Sequence, residues 1–147
     1  MKPELEIYLH TESTWLTEEL ANKYLAALQN LLPSLLAQPK GVEHVLSELD
    51  LVELNIVDDA TITDIHAEFL DDPTPTDVIT FPYGEIFVSL DTAERYAAQH
   101  GVAVEEELLR YLIHGLVHLH GYLDATPEQR AELFAVQEPL VKKACLS

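Results

Sequence analysis

One stretch, Leu112-Ile113-His114-Gly115-Leu116-Val117-His118-Leu119-His120-Gly121-Tyr122-Leu123-Asp124, restricts the fold more than any other part of the chain. Upstream of it, Glu105-Glu106-Glu107 puts acids in the first turn of a helix that runs towards His120. Gly121 stands where that helix can reverse through a positive φ angle. On such a helix His114 and His118 leave one face about one turn apart. Two ring nitrogens at that spacing can meet a single Zn²⁺ at the ~2.0–2.1 Å it prefers. Asp124, just past the reversal, can return a carboxylate oxygen to the same point. The pattern His-x3-His-x2-Gly-x2-Asp supplies three protein ligands and leaves a fourth position for water, the mark of a catalytic zinc site. The expectation is one Zn²⁺ per chain on His114, His118 and Asp124.

His120 lies about 200° around the helix from His118 and is expected at the helix end, away from that face. The remaining histidines, His10, His44, His66 and His100, have no partner at ligand spacing and read as surface or capping residues. The zinc-peptidase motif His-Glu-x-x-His carries its general base directly after the first ligand. Here that position is Gly115. Zn²⁺ lowers the pKa of a water it binds to about 7, so hydrolysis remains open as a reaction class while peptide hydrolysis is disfavoured.

The rest of the chain bounds the setting. A length of 147 residues makes one domain of residues 1–147. Hydrophobic and charged shares of 48% and 23% are those of a globular protein and exclude disorder. No apolar run approaches the ~20 residues of a membrane span. The opening Met1-Lys2-Pro3-Glu4-Leu5-Glu6 has acids where a secretory signal needs an apolar stretch, and Cys145 is the single cysteine. A cytoplasmic protein is expected. Eight Lys+Arg against 26 Asp+Glu give a net charge of −18, so nucleic-acid binding driven by counterion release is disfavoured. Phosphate chemistry on this chain needs a local positive centre such as a metal ion.

Strands are expected at Leu5–His10, Leu51–Val57, Asp77–Phe81 and Glu85–Leu90, the last two joined as a hairpin through Pro82-Tyr83-Gly84. Thr17 caps a helix that Pro33 breaks or kinks, and Pro39-Lys40-Gly41 is a turn. Asp58-Asp59 caps a helix towards Leu70, followed by an Asp71-Asp72-Pro73-Thr74-Pro75 loop. Asp91-Thr92-Ala93-Glu94 has the form of a capping box, and that helix ends at His100-Gly101. Thr126-Pro127-Glu128-Gln129 opens the last helix. The fold class is α+β, with about four strands and a helical C-terminal half.

At these residues the chain resembles the YbeY family of bacterial rRNA maturation factors and endoribonucleases. That family's pattern His-Gly-x-Leu-His-Leu-x-Gly-Tyr-Asp-His is matched by His114 to Asp124. A second block, Pro75-Thr76-Asp77-Val78-Ile79-Thr80-Phe81-Pro82, is similar to its Pro-Thr-Asp-Val-Leu-Ser-Phe-Pro, and Gly84-Glu85-Ile86 stands for its Gly-Asp-Ile. The resemblance covers about two-thirds of the chain. It implies a zincin-like fold, a mixed sheet with helices packed on it, Zn²⁺ on His114 and His118, and hydrolysis of phosphodiesters in ribosomal RNA. The implied partners are ribosomal RNA and ribosomal subunits, with no DNA and no membrane.

Three departures bear on the chemistry. The family's third histidine is Asp124 here, which makes the centre less positive by one charge and shifts metal preference towards harder ions. The aspartate before it is Leu123. The family's arginine before Pro-Thr-Asp, implied to face the substrate phosphate, is Leu70, which cannot stabilise a pentacoordinate phosphate. Arg110, one turn before His114, is expected to pair with Glu106 at i,i+4, the catalytic alternative being to take over that arginine's role. The strand Val78–Phe81 is expected to wall the cleft, and Thr76-Asp77 to tie down the loop before it. No residue presents itself as general base. The alternatives are a non-catalytic ribosome-associated factor whose metal locks the Gly121–Asp124 loop, and a metallopeptidase.

Overall fold

A computed structural model of the chain describes residues 3–70 and 76–145. Four strands, β1 (Glu4–Leu9), β2 (Leu51–Val57), β3 (Val78–Phe81) and β4 (Glu85–Ser89), form one sheet in the order β1-β2-β4-β3. β1, β2 and β4 are parallel, and β3 returns antiparallel to β4 as the edge strand. Parallel neighbours need crossovers, and helices supply them: α1 (Glu18–Leu36) between β1 and β2, α2 (Asp59–Leu70) after β2. Three helices follow the sheet: α3 (Leu90–His100), α4 (Val104–Leu119) and α5 (Pro127–Cys145). The expected α+β class and four-stranded mixed sheet are what the chain adopts. Among the described residues no helix is long and apolar enough to cross a membrane.

α4 is the helix on which the site depends. Its Leu108, Leu112, Ile113, Leu116 and Val117 are fully buried against Leu54, Ile56, Ile86 and Val88 of the sheet and against α1 and α5. Each such side chain contributes ~1.5–3 kcal/mol relative to exposure, so the helix cannot turn about its axis without large loss. Gly115 makes the close approach possible: a Cβ there would lie 2.6 Å from Cγ2 of Ile86. α2 covers a smaller patch on the other face of the sheet, built from Val57, Ile62 and Ile79 with Phe81 and Phe87 around them.

Local signals set most of the element ends. Asp58 Oδ1 accepts from Thr61 N–H at 2.8 Å at the start of α2, and Gly101 closes α3 at φ +64°. Thr126 Oγ1 accepts from Gln129 N–H at 3.1 Å while Gln129 Oε1 accepts from Thr126 N–H at 3.2 Å, a reciprocal capping box before α5. The β3–β4 hairpin turns through Gly84 at φ +114°, with Gly84 N–H on Phe81 O at 3.0 Å.

Two expectations are corrected. Of the break or kink expected at Pro33, the break does not occur: α1 continues to Leu36. The proline is exposed, and burial of Leu31, Leu32 and Leu35 around it outweighs the ~3 kcal/mol an interior proline costs. The cap of α3 is Ser89, whose Oγ accepts from Thr92 N–H at 3.0 Å. Asp91 sits inside that helix and its Oδ2 accepts instead from Asp59 N–H at 2.8 Å, joining α3 to α2. The expected Asp71–Pro75 loop, and Pro75 of the second family block, lie outside the described residues.

Candidate metal centre

Helical spacing on α4 brings the His114 and His118 rings to 4.4 Å between centroids, with their planes at 88°. Asp124 comes back towards them, its Oδ2 3.3 Å from His118 Nε2 and 3.7 Å from His114 Nε2. One donor atom from each of the three residues lies within 4.8 Å of the others. The three residues singled out by their spacing thus lie together.

The far nitrogen of each ring is already engaged. His114 Nδ1 lies 2.6 Å from Gln137 Oε1, and His118 Nδ1 lies 2.7 Å from the Tyr122 carbonyl oxygen. Both partners are acceptors, which favours the tautomer with the proton on Nδ1 and the lone pair on Nε2. Two imidazole lone pairs and a carboxylate then point at one small space. Three acceptors without a proton between them repel unless a cation stands among them, and N,N,O donation suits Zn²⁺. Burial, and then the neighbouring His118, push the pKa of His114 down, which favours the neutral form a metal requires.

The reversal after α4 is clamped. Gly121 adopts φ +104°, and a Cβ on it would lie 2.7 Å from the carbonyl carbon of Gly41. Gly41 N–H donates to His120 O at 3.0 Å and Val45 N–H to Leu119 O at 2.8 Å, satisfying the last carbonyls of α4. The Pro39–Gly41 turn is therefore the packing partner of the Gly121–Asp124 loop, a role its sequence did not reveal. His120 faces this turn: it is fully buried, its Nε2 lies 2.9 Å from Gln38 O, and it caps the helix rather than joining the trio.

On one side of the centre lies a cavity of about 460 Å³ lined by His118, Leu123, Val42, His44, Thr80 and Pro82. Edge strand β3 thus walls the cleft, as expected. On the other side a cavity of about 310 Å³ is bordered by His114, Asp124, Asp77, Tyr96, Tyr111 and Phe134. Asp77 is tied locally, its Oδ1 accepting from Val78 N–H at 2.8 Å and its carbonyl from Ser89 N–H at 2.9 Å. His44, read as a surface residue, faces the first cavity because the chain folds back there; no local spacing marks it.

Arg110 reaches Glu106 at 3.7 Å, but its shorter contacts are to Glu107 at 2.7 Å and Glu138 at 3.0 Å. Hydrogen bonding to these carboxylates raises its pKa and commits the guanidinium to joining α4 with α5. Leu70 is half exposed at the end of α2. Arg130 contacts the Gly121–Asp124 loop, donating to the Asp124 carbonyl oxygen at 3.2 Å. Gly115 faces Ile86 so closely that the sheet leaves no room for a glutamate there.

Comparison with known proteins agrees with this architecture. The family model described as Endoribonuclease YbeY matches residues 16–144. Proteins named Endoribonuclease YbeY are similar to the chain: that of Protochlamydia amoebophila is 44% identical over 86 residues, covering 51% of this chain and 57% of its own length. That of Rhodopirellula baltica is 42% identical over 92 residues, covering 56% of this chain and 47% of its own length. The chain thus spans about half the length of these two relatives. The Synechococcus relative is 33% identical over 148 residues, covering 90% of this chain and 86% of its own. A Thermotoga maritima protein solved in solution superposes with a TM-score of 0.67 at 26% identity, over 95% of this chain and 88% of that one. With a helix-borne imidazole pair, a glycine reversal and the family model matching residues 16–144, the chain belongs to the YbeY family.

Proposed function

We propose that residues 1–147 form a single metal-dependent hydrolase domain, a zinc-dependent endoribonuclease of the cytoplasm that acts in ribosomal RNA maturation and ribosome quality control. The observation that carries this reading is the convergence of His114 Nε2, His118 Nε2 and Asp124 Oδ2 with both Nδ1 atoms otherwise engaged. The names of the relatives support the substrate class, RNA; ribosomal RNA and ribosomal subunits as its partners are part of the proposal.

A divalent ion held by these three residues supplies Lewis acidity towards a phosphoryl oxygen and a bound water of lowered pKa. The chain's own part is positioning. His114 and His118 are fixed by the burial of α4, and the clamped Gly121 turn returns Asp124 to them. β3 offers an edge along which an extended substrate can lie. With Asp124 in place of a neutral ligand, less positive charge faces the substrate than three imidazoles would leave.

A second reading, a ribosome-associated factor in which the metal only locks the Gly121–Asp124 loop, draws on the half-exposed Leu70, the committed Arg110 and the charge of −18. Asp124→Ala separates the two. Zinc-loaded wild type is expected to cleave ribosomal RNA fragments, and the variant to lose cleavage while keeping its melting temperature and its association with ribosomal subunits. Cleavage surviving in Asp124→Ala at wild-type rate contradicts the hydrolase reading.

A further inference from the structure

We infer that Gln137 is the positioning residue that presents the His114 Nε2 lone pair to the metal, and that Glu138 and Arg110 hold it in the orientation this requires. The inference rests on the metal reading above and adds a control of that site from α5.

A glutamine side chain can face a neighbour with either its oxygen or its amino group, and the two have opposite consequences here. With Oε1 towards His114, Nδ1 must carry the ring proton and Nε2 is free to bind. With the amino group there, the proton is driven to Nε2 and the ligand is lost. The chain selects the first arrangement through a run of partners. Gln137 Nε2 donates to Glu138 Oε2 at 2.9 Å, and a carboxylate can only accept. Flipping the amide would set its oxygen against that carboxylate. Glu138 is held in turn by Arg110, whose Nε and NH2 each lie 3.0 Å from one of its oxygens. Arg110 NH1 is anchored on Glu107 Oε1 at 2.7 Å, and Glu107 is buried. Gln137 itself is 2% exposed, so water does not offer the amide another partner.

His118 has no comparable control. Its Nδ1 donates to a backbone carbonyl, that of Tyr122, which no substitution removes. The two imidazoles are therefore oriented by different means, and His114 is the one that side-chain chemistry can tune. Outer partners of metal-bound histidines typically carry ~10–100-fold in metal affinity.

The experiment has two readouts: the ¹⁵N shifts of the His114 ring in metal-free protein, which report the tautomer, and zinc affinity by chelator competition. Wild type is expected to hold His114 in the Nδ1–H form. Gln137→Leu should mix the tautomers and weaken zinc by ~10–100-fold. Gln137→Glu combined with Glu138→Gln, which restores an acceptor towards His114 without setting two carboxylates against each other, should recover both. Glu138→Gln, at a position partly open to solvent, removes the constraint on the amide without touching Gln137. It should shift the tautomer in the same direction by a smaller amount and stands in if Gln137→Leu does not fold. The His118 ring shifts should stay constant throughout. A His114 ring protonated on Nε2 in wild type, or Gln137→Leu with unchanged tautomer and zinc affinity, overturns the inference. If wild type binds no zinc the metal reading fails, whereas the tautomer still decides the role of Gln137.

Discussion

The imidazole pair and the carboxylate that meet at this centre are held to very different degrees. His114 and His118 stand on a helix whose neighbouring Leu112, Ile113, Leu116 and Val117 are fully buried, and their side chains are 18% and 19% exposed. Each ring is fixed at Nδ1 by a hydrogen bond. Asp124 stands on the loop between α4 and α5 with its side chain 49% exposed, and the described hold on it is Arg130 on its backbone carbonyl. The helix half of the centre is set by folding itself. The loop half is the part that a cation, in the function proposed, would complete, so substitutions on the two sides should separate stability from affinity.

The largest effect is expected from His118→Ala. Zinc affinity should fall by more than the ~100-fold that marks loss of an outer partner, while the unfolding midpoint of the metal-free protein moves little. Chelator competition beside urea titration checks both. Gly121→Ala attacks the joint between the halves. A methyl group at φ +104°, against Gly41, should cost roughly 2–4 kcal/mol in strain and overpacking, seen as a lower denaturation midpoint. Asp124→Asn keeps an oxygen and loses the charge. Zinc affinity should fall about tenfold, near 1.4 kcal/mol, with the unfolding free energy unchanged within about 0.5 kcal/mol.

The smallest effect is the pH dependence of the metal-free protein. Burial and His118 depress the pKa of His114, so the unfolded chain binds the proton more readily than the native one. Stability is then fully present above the ordinary imidazole value of ~6.5 and declines as pH falls below it. Urea midpoints at neutral and mildly acidic pH should show this slope, and His114→Ala should flatten it.

How much of this was legible in the sequence depended on whether the deciding contact was local. The i,i+4 histidines, the Gly121 reversal and the Thr126 capping box are spacings within a turn or two, and each is found where the residues indicated. A break at Pro33 did not follow because the burial that keeps α1 continuous comes from the tertiary core. At the start of α3 the expected cap, Asp91, accepts instead from the backbone of α2, and Ser89 caps the helix, an outcome decided by a contact 32 residues away in sequence. Gln137 gave no signal at all: it meets His114 across 23 residues, through the packing of α5 on α4. The Gly41–Gly121 contact is equally non-local, since either glycine alone reads as an ordinary turn.

The central claim is that three side chains share one cation, and an anomalous difference map at the zinc edge, from crystals of zinc-loaded protein, tests it most directly. The account predicts one peak at ~2.0–2.2 Å from His114 Nε2, His118 Nε2 and an Asp124 carboxylate oxygen. A map with no peak between these residues, or with the peak at His120 instead, would contradict it.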